Sequence, residues 1–128
     1  MDVVANGCAL CELQDEGYLI TLLGKGNGAF KKPAYRDVKG EVYQYLAADF
    51  NGDGNTDLVT SDVTGGGVDI YLGSGKGTFQ PRVSFGAGDA IGKIATGFLR
   101  NQGVGYADIV GTSVAPNITV FLNQMTSK

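Results

Sequence analysis

The sequence predicts an all-β fold made of repeated antiparallel sheets. Three observations carry this: short segments of alternating apolar residues, glycine-rich turns after them, and recurrence of both about 50 residues apart. Glycine supplies 21 of the 128 residues, roughly twice its ordinary share of about 7 %. Proline numbers only 3, which excludes a collagen-like or proline-rich disordered chain. The length is that of one domain. No segment shows the apolar stripe of a helix.

The repeat is legible residue by residue. Leu22-Leu23-Gly24-Lys25-Gly26-Asn27-Gly28-Ala29-Phe30 returns as Tyr71-Leu72-Gly73-Ser74-Gly75-Lys76-Gly77-Thr78-Phe79, and Phe121-Leu122-Asn123 opens a third copy. Each follows an alternating strand. Leu19, Thr21 and Leu23 share one face, as do Val68, Ile70 and Leu72, and again Ile118, Val120 and Leu122. Upstream of each stands an aspartate before two aliphatic residues: Asp2-Val3-Val4, Asp57-Leu58-Val59 and Asp108-Ile109-Val110. The first copy is longer by about six residues, a length that a loop absorbs cheaply. Cys8 and Cys11 fall in that insertion.

In the middle copy the alternation predicts four strands: Val42–Phe50, Asp57–Ser61, Val68–Leu72 and Phe79–Phe85. Four short strands in an all-β unit of about 50 residues are the pattern of a propeller blade. The chain divides accordingly into 1–39, a blade lacking its first strand; 40–88, a complete blade; and 89–128, a blade lacking its last strand. That makes β-propeller-type, four-stranded antiparallel blades, about two and a half per chain, where a closed propeller has about four to eight. The expectation is a part of a longer propeller or a homo-oligomer that completes a ring, because incomplete blades leave edge strands that template pairing.

Composition removes several functions. There are no histidines, so a Ser-His-Asp triad, a His-ligated zinc or iron and the usual general base near neutral pH are all excluded. Two cysteines do not make a four-cysteine zinc site. Net charge is −3 without a basic cluster, so nucleic acid is not an expected partner. No apolar run approaches about 18 residues, so no membrane span is expected. Met1–Val4 has neither a basic nor an apolar leader segment, so no signal peptide is expected in this chain. The carboxylates outside the middle turn show no spacing that selects a glycosidase pair. The Gly24/Gly26/Gly28 and Gly73/Gly75/Gly77 runs have the wrong spacing for a phosphate loop and no following helix.

The strongest local signal is Asp49-Phe50-Asn51-Gly52-Asp53-Gly54-Asn55-Thr56-Asp57. Oxygen-bearing side chains alternate along it at Asp49, Asn51 and Asp53. A glycine follows for the sharp turn, the Asn55 carbonyl comes next, and Asp57 closes the run. Hard oxygen donors in this order suit Ca2+. Three carboxylates in one turn without a neighbouring cation also call for a counter-charge. It is not an EF-hand, since Thr60 stands where a bidentate Glu would be and the flanks are strands. The plainer reading is an Asx/Gly turn with solvated carboxylates.

Ala48–Val59, the strand Val68–Leu72 and the run Gly73-x-Gly75-x-Gly77-x-Phe79 together resemble the FG-GAP/VCBS repeat of integrin α-subunit-like β-propellers. The resemblance extends over essentially the whole chain and is closest in the middle copy. It implies a propeller with calcium in the hairpin between the first two strands of a blade, held by Asp49, Asn51, Asp53, Asp57 and the Asn55 carbonyl. It further implies a non-catalytic, extracellular or cell-surface module for adhesion and protein or carbohydrate binding; the alternatives are a homo-oligomeric structural unit that completes a propeller ring, a lectin among them, and an accessory piece of a carbohydrate-active enzyme. The third copy departs from the pattern: Gly97–Asp108 keeps only Asp108 among the carboxylates and adds Arg100. One calcium per chain is therefore expected. Cys8 and Cys11 admit a loop disulfide, two free thiols or pairing with another chain. Phe30, Phe50 and Phe79 recur at repeat positions and are expected in the core. Tyr35, Tyr43, Tyr45 and Tyr106 remain candidates for a binding face.

Overall fold

Ten strands lie among the described residues of the computed structural model, which are 3–8, 17–38, 42–99, 106–113 and 115–124. Cys11, the Cys8 side chain, Asp2 and Arg100 lie outside them. The strands are β1 (Val3–Cys8), β2 (Gly17–Leu22), β3 (Ala34–Val38), β4 (Val42–Ala48), β5 (Asp57–Asp62), β6 (Gly67–Tyr71), β7 (Val83–Gly86), β8 (Ile91–Gly97), β9 (Asp108–Ser113) and β10 (Ile118–Phe121). They form three antiparallel sheets: β1-β2-β3 (sheet 1), β4-β5-β6-β7 (sheet 2) and β8-β9-β10 (sheet 3). Every neighbour in a sheet is also a neighbour in sequence, as expected for meanders joined by short turns.

Alternation decides what each sheet buries. In sheet 2, Leu58 pairs with Tyr71 on one face, and Val59 with Ile70 on the other. Leu58 and Tyr71 pack with Leu19 and Val38 of sheet 1. Val59 and Val68 pack with Ile91, Ile94 and Ile109 of sheet 3. The middle of sheet 2 is thus covered on both faces, which is why β5 reads as nearly continuous burial; β7, at the sheet's edge, is exposed along its length.

The interface of sheets 1 and 2 also holds charge. Asp69, 3 % exposed, is paired with Arg82 at 2.5 Å. Arg36 reaches from β3 to the Phe79 carbonyl at 2.5 Å and lies 5.5 Å from the centre of the Tyr71 ring. Burial, with help from Asp69, pushes the Tyr71 hydroxyl up from its ordinary range.

Two expectations are corrected. β7 begins at Val83, because Phe79 makes only an isolated bridge to Gly73 that closes the glycine turn. Phe30 is 41 % exposed, whereas Phe50 is buried at 3 % and Phe79 packs against the sheet 1–sheet 2 core. The glycine turn fixes the backbone at this repeat position, and burial then depends on what packs against it.

The β5–β6 turn supplies a pH test. Asp62 accepts the Gly65 amide at 2.6 Å and the Thr64 amide and hydroxyl at 2.8 Å each. Burial pushes the Asp62 carboxyl up, but these donors and the Arg82 charge outweigh it and hold the group below the ordinary aspartate range. A lowered folded pKa stabilises fully above the unfolded value of about 3.9 and is lost as pH falls through the folded value. Asp62→Asn should therefore flatten the acid limb of stability below about pH 4. Parallel urea titrations of both proteins between neutral and acid pH check this; identical acid limbs would remove Asp62 from the account.

Candidate metal centre

The turn between β4 and β5 is built from its own side chains. Asp49 accepts the Gly52 amide on Oδ1 at 2.6 Å and the Gly54 amide on Oδ2 at 2.9 Å. Asn51 Oδ1 accepts the Asp53 amide at 3.0 Å, and Asp53 Oδ1 accepts the Asn55 amide at 2.8 Å. Asn51 Nδ2 also donates to Asp53 Oδ2 at 3.0 Å. These successive Asx bonds fold the segment back on itself. They require Gly52 and Gly54 at φ of 75° and 81°, where a Cβ is disfavoured. The Asn55 amide and the Asn51 side chain hold the exposed Asp53 carboxyl below its ordinary range.

The five sequence-nominated residues separate into two groups. Asp49, Asn51, Asp53 and Asn55 share the turn. Asp57 is fully buried, and its carboxylate clamps two backbone amides: Phe50 N–H on Oδ2 at 2.9 Å and Gly73 N–H on Oδ1 at 2.8 Å. It thereby fastens the end of β4 and the end of β6 to the start of β5. Asp108 does the same in sheet 3, accepting Leu99 N–H at 3.0 Å and Asn123 N–H at 2.7 Å. The clamp is therefore a property of the repeat, present in sheet 3 where the upstream acidic residues are missing from the sequence.

The donor set fits a hard cation in kind, being all oxygen and largely exposed on one turn. As the side chains stand, no three Asp, Glu, His or Cys among the described residues are gathered as a metal-binding group. Their oxygens are turned instead to the turn's own amides.

Sheet 3 braces this turn. A Cβ on Gly52 would lie 2.0 Å from the Tyr106 ring, so Tyr106 lies directly over that glycine. Asn123 Nδ2 donates to the Phe50 carbonyl at 2.8 Å. Neither contact is announced by the calcium pattern. The signal for Asn123 is its position: Gly24 and Gly73 occupy the same place in the other two copies. At Gly73 a Cβ would sit 2.0 Å from the Thr56 carbonyl oxygen. Asparagine in the third copy uses that place to reach a neighbouring sheet.

The middle of the chain, residues 49–97, matches the model of an FG-GAP-like repeat. That segment is similar to an FG-GAP-like repeat. It starts on Asp49, takes in the turn, β5, β6 and β7, and ends with the last residue of β8. It therefore joins two sheets, and the clamp aspartate lies inside it. No curated protein matches the chain.

An apolar groove of about 670 Å³ runs between sheets 2 and 3, lined among others by Phe50, Ile70 and Phe85 of the matched segment and by Ile109 and Phe121. Among the described residues no charged side chain lines it.

Proposed function

We propose that this protein is a non-catalytic repeat module that binds one calcium ion in the β4–β5 turn. It presents a surface for adhesion to protein or carbohydrate outside the cell. The observation that carries the reading is the ladder of oxygen donors, Asp49, Asn51, Asp53 and Asn55, on one glycine-hinged turn. Side-chain oxygens of the first three and the Asn55 carbonyl would hold the ion, with Asp57 fastening the ends of the turn and adding negative charge. Bound calcium supplies the positive charge that offsets acidic groups sharing one turn. The chain's own residues pre-fold the loop, so less ordering remains when the ion binds. The lack of histidine and the uncharged groove support a binding role over catalysis. Exposed Tyr43, with Lys93 4.9 Å from its ring centre, suits stacking on sugar rings.

Calorimetric titration with Ca2+ and with Mg2+ tests the reading. The expected result is a single Ca2+ site and weaker Mg2+ binding, since Mg2+ demands a rigid octahedral shell. Absence of heat, or two tight sites, would remove it. A glycan and extracellular-protein binding screen, run in calcium and in chelator, tests the adhesive part; retention must depend on calcium.

A further inference from the structure

The repeat marks one sheet face that, among the described residues, is covered twice and left bare once. In sheet 1 the face bearing Leu19 and Thr21, 1 % and 7 % exposed, packs on Leu58 and Tyr71 of sheet 2. In sheet 2 the corresponding face, Val68 and Ile70, packs on sheet 3. In sheet 3 the corresponding residues are Ile118 and Val120, and they are 72 % and 48 % exposed. Val120 pairs with Val110, and Val110 with Ala95, so the apolar strip crosses all three strands. Isolated exposed apolar residues are ordinary, but a strip aligned by register marks an interaction surface.

Sheet 1 carries the complementary surplus. Alternation puts Tyr18, Ile20 and Tyr35 on its face away from sheet 2. Tyr35 is 67 % exposed, and the Tyr18 and Tyr35 rings stand 6.0 Å apart. Sheets 1 and 3 cover opposite faces of sheet 2, so these two outward faces point away from each other within one chain.

We infer that the bare face of sheet 3 packs on the outward face of sheet 1 of a second copy of this chain. The contact continues the sheet-on-sheet interface that the chain already makes twice: Ile118 and Val120 hold the repeat positions of Val68 and Ile70, and Leu22, on the same face as Tyr18 and Ile20, holds that of Tyr71. It is heterologous, head to tail, and such contacts form rings when the rotation closes. Two copies place two sets of three sheets in one ring, within the range of about four to eight blades. The assembled object is therefore a closed dimer. It rests on the sheet faces and does not require calcium.

Light scattering after size exclusion tests this on the 128-residue chain, with circular dichroism to verify folding. The expected mass is twice the 13.3 kDa of one chain. Val120→Glu on one face and Tyr35→Glu on the other should each give a folded monomer; both positions are exposed, so folding should survive. Mixing the two variants should restore a dimer, because one unaltered pair of faces remains available. A wild-type monomer at all concentrations overturns the proposal. So does a dimer that either folded variant leaves intact, or a mixture that stays monomeric.

Discussion

Asp57→Ala is expected to destabilise the protein by about 3–5 kcal/mol, because it strands two buried amides that now bond a carboxylate. The amides are those of Phe50 and Gly73, held at 2.9 and 2.8 Å by a fully buried side chain. Neither can turn to water without opening the junction of β4, β5 and β6. For a domain of this size the loss corresponds to a fall in melting temperature of roughly 10–20 °C, a large part of an ordinary stability of about 5–15 kcal/mol. Asp57→Asn keeps one acceptor oxygen and should lose less. Asp108→Ala should behave like Asp57→Ala, since its carboxylate holds Leu99 and Asn123 in the same manner. Thermal and urea melts in chelator measure all three. If Asp57→Ala melts with the parent protein in chelator, the clamp is not what secures this junction.

The second large effect concerns calcium. Ligand that binds only the folded state stabilises it by mass action, by about 2.7 kcal/mol at a hundred times its Kd. Melting in calcium against chelator should show that gain in the parent protein and little of it in Asp49→Ala or Asp53→Ala. The two variants differ in their chelator baseline. Asp49 holds the Gly52 and Gly54 backbone amides and so shapes the turn, whereas Asp53 holds one backbone amide, that of Asn55, and the Asn51 side chain. Asp49→Ala should therefore melt lower even without calcium. A full calcium shift retained in both variants would take the ion away from this turn.

The clamp and the turn also explain how the site depends on its surroundings. Tyr106 and Asn123 reach the turn from sheet 3, so loosening the contact of sheets 2 and 3 would loosen the turn. The segment 49–97 that matches an FG-GAP-like repeat spans both sheets, and it contains its own inter-sheet junction.

Local physics made much of this legible in the sequence. Alternation at Val68/Ile70 and Leu58/Tyr71 follows from the two-residue period of a strand, and glycine at Gly52 and Gly54 follows from a backbone that a Cβ disfavours. The all-β class, the antiparallel meanders and the acidic turn could all be read from such short-range rules. The repeat added which strands correspond.

Tertiary structure decided the rest. Asp57 reads in the sequence as one more oxygen ligand; the structure adds that partners 7 and 16 residues away bond its two oxygens. Asn123 acts on Phe50 across 73 residues. Phe30 holds the repeat position of Phe79 yet stands exposed, because packing at a residue depends on the sheet that arrives opposite it. Ile118 and Val120 match buried Val68 and half-buried Ile70 in sheet 2, and their exposure records only that no sheet of the same chain covers them among the described residues. A residue's own type and spacing determine which face it takes. Whether that face meets water, an amide or another sheet is a non-local fact, set by the free energy of bringing distant segments together.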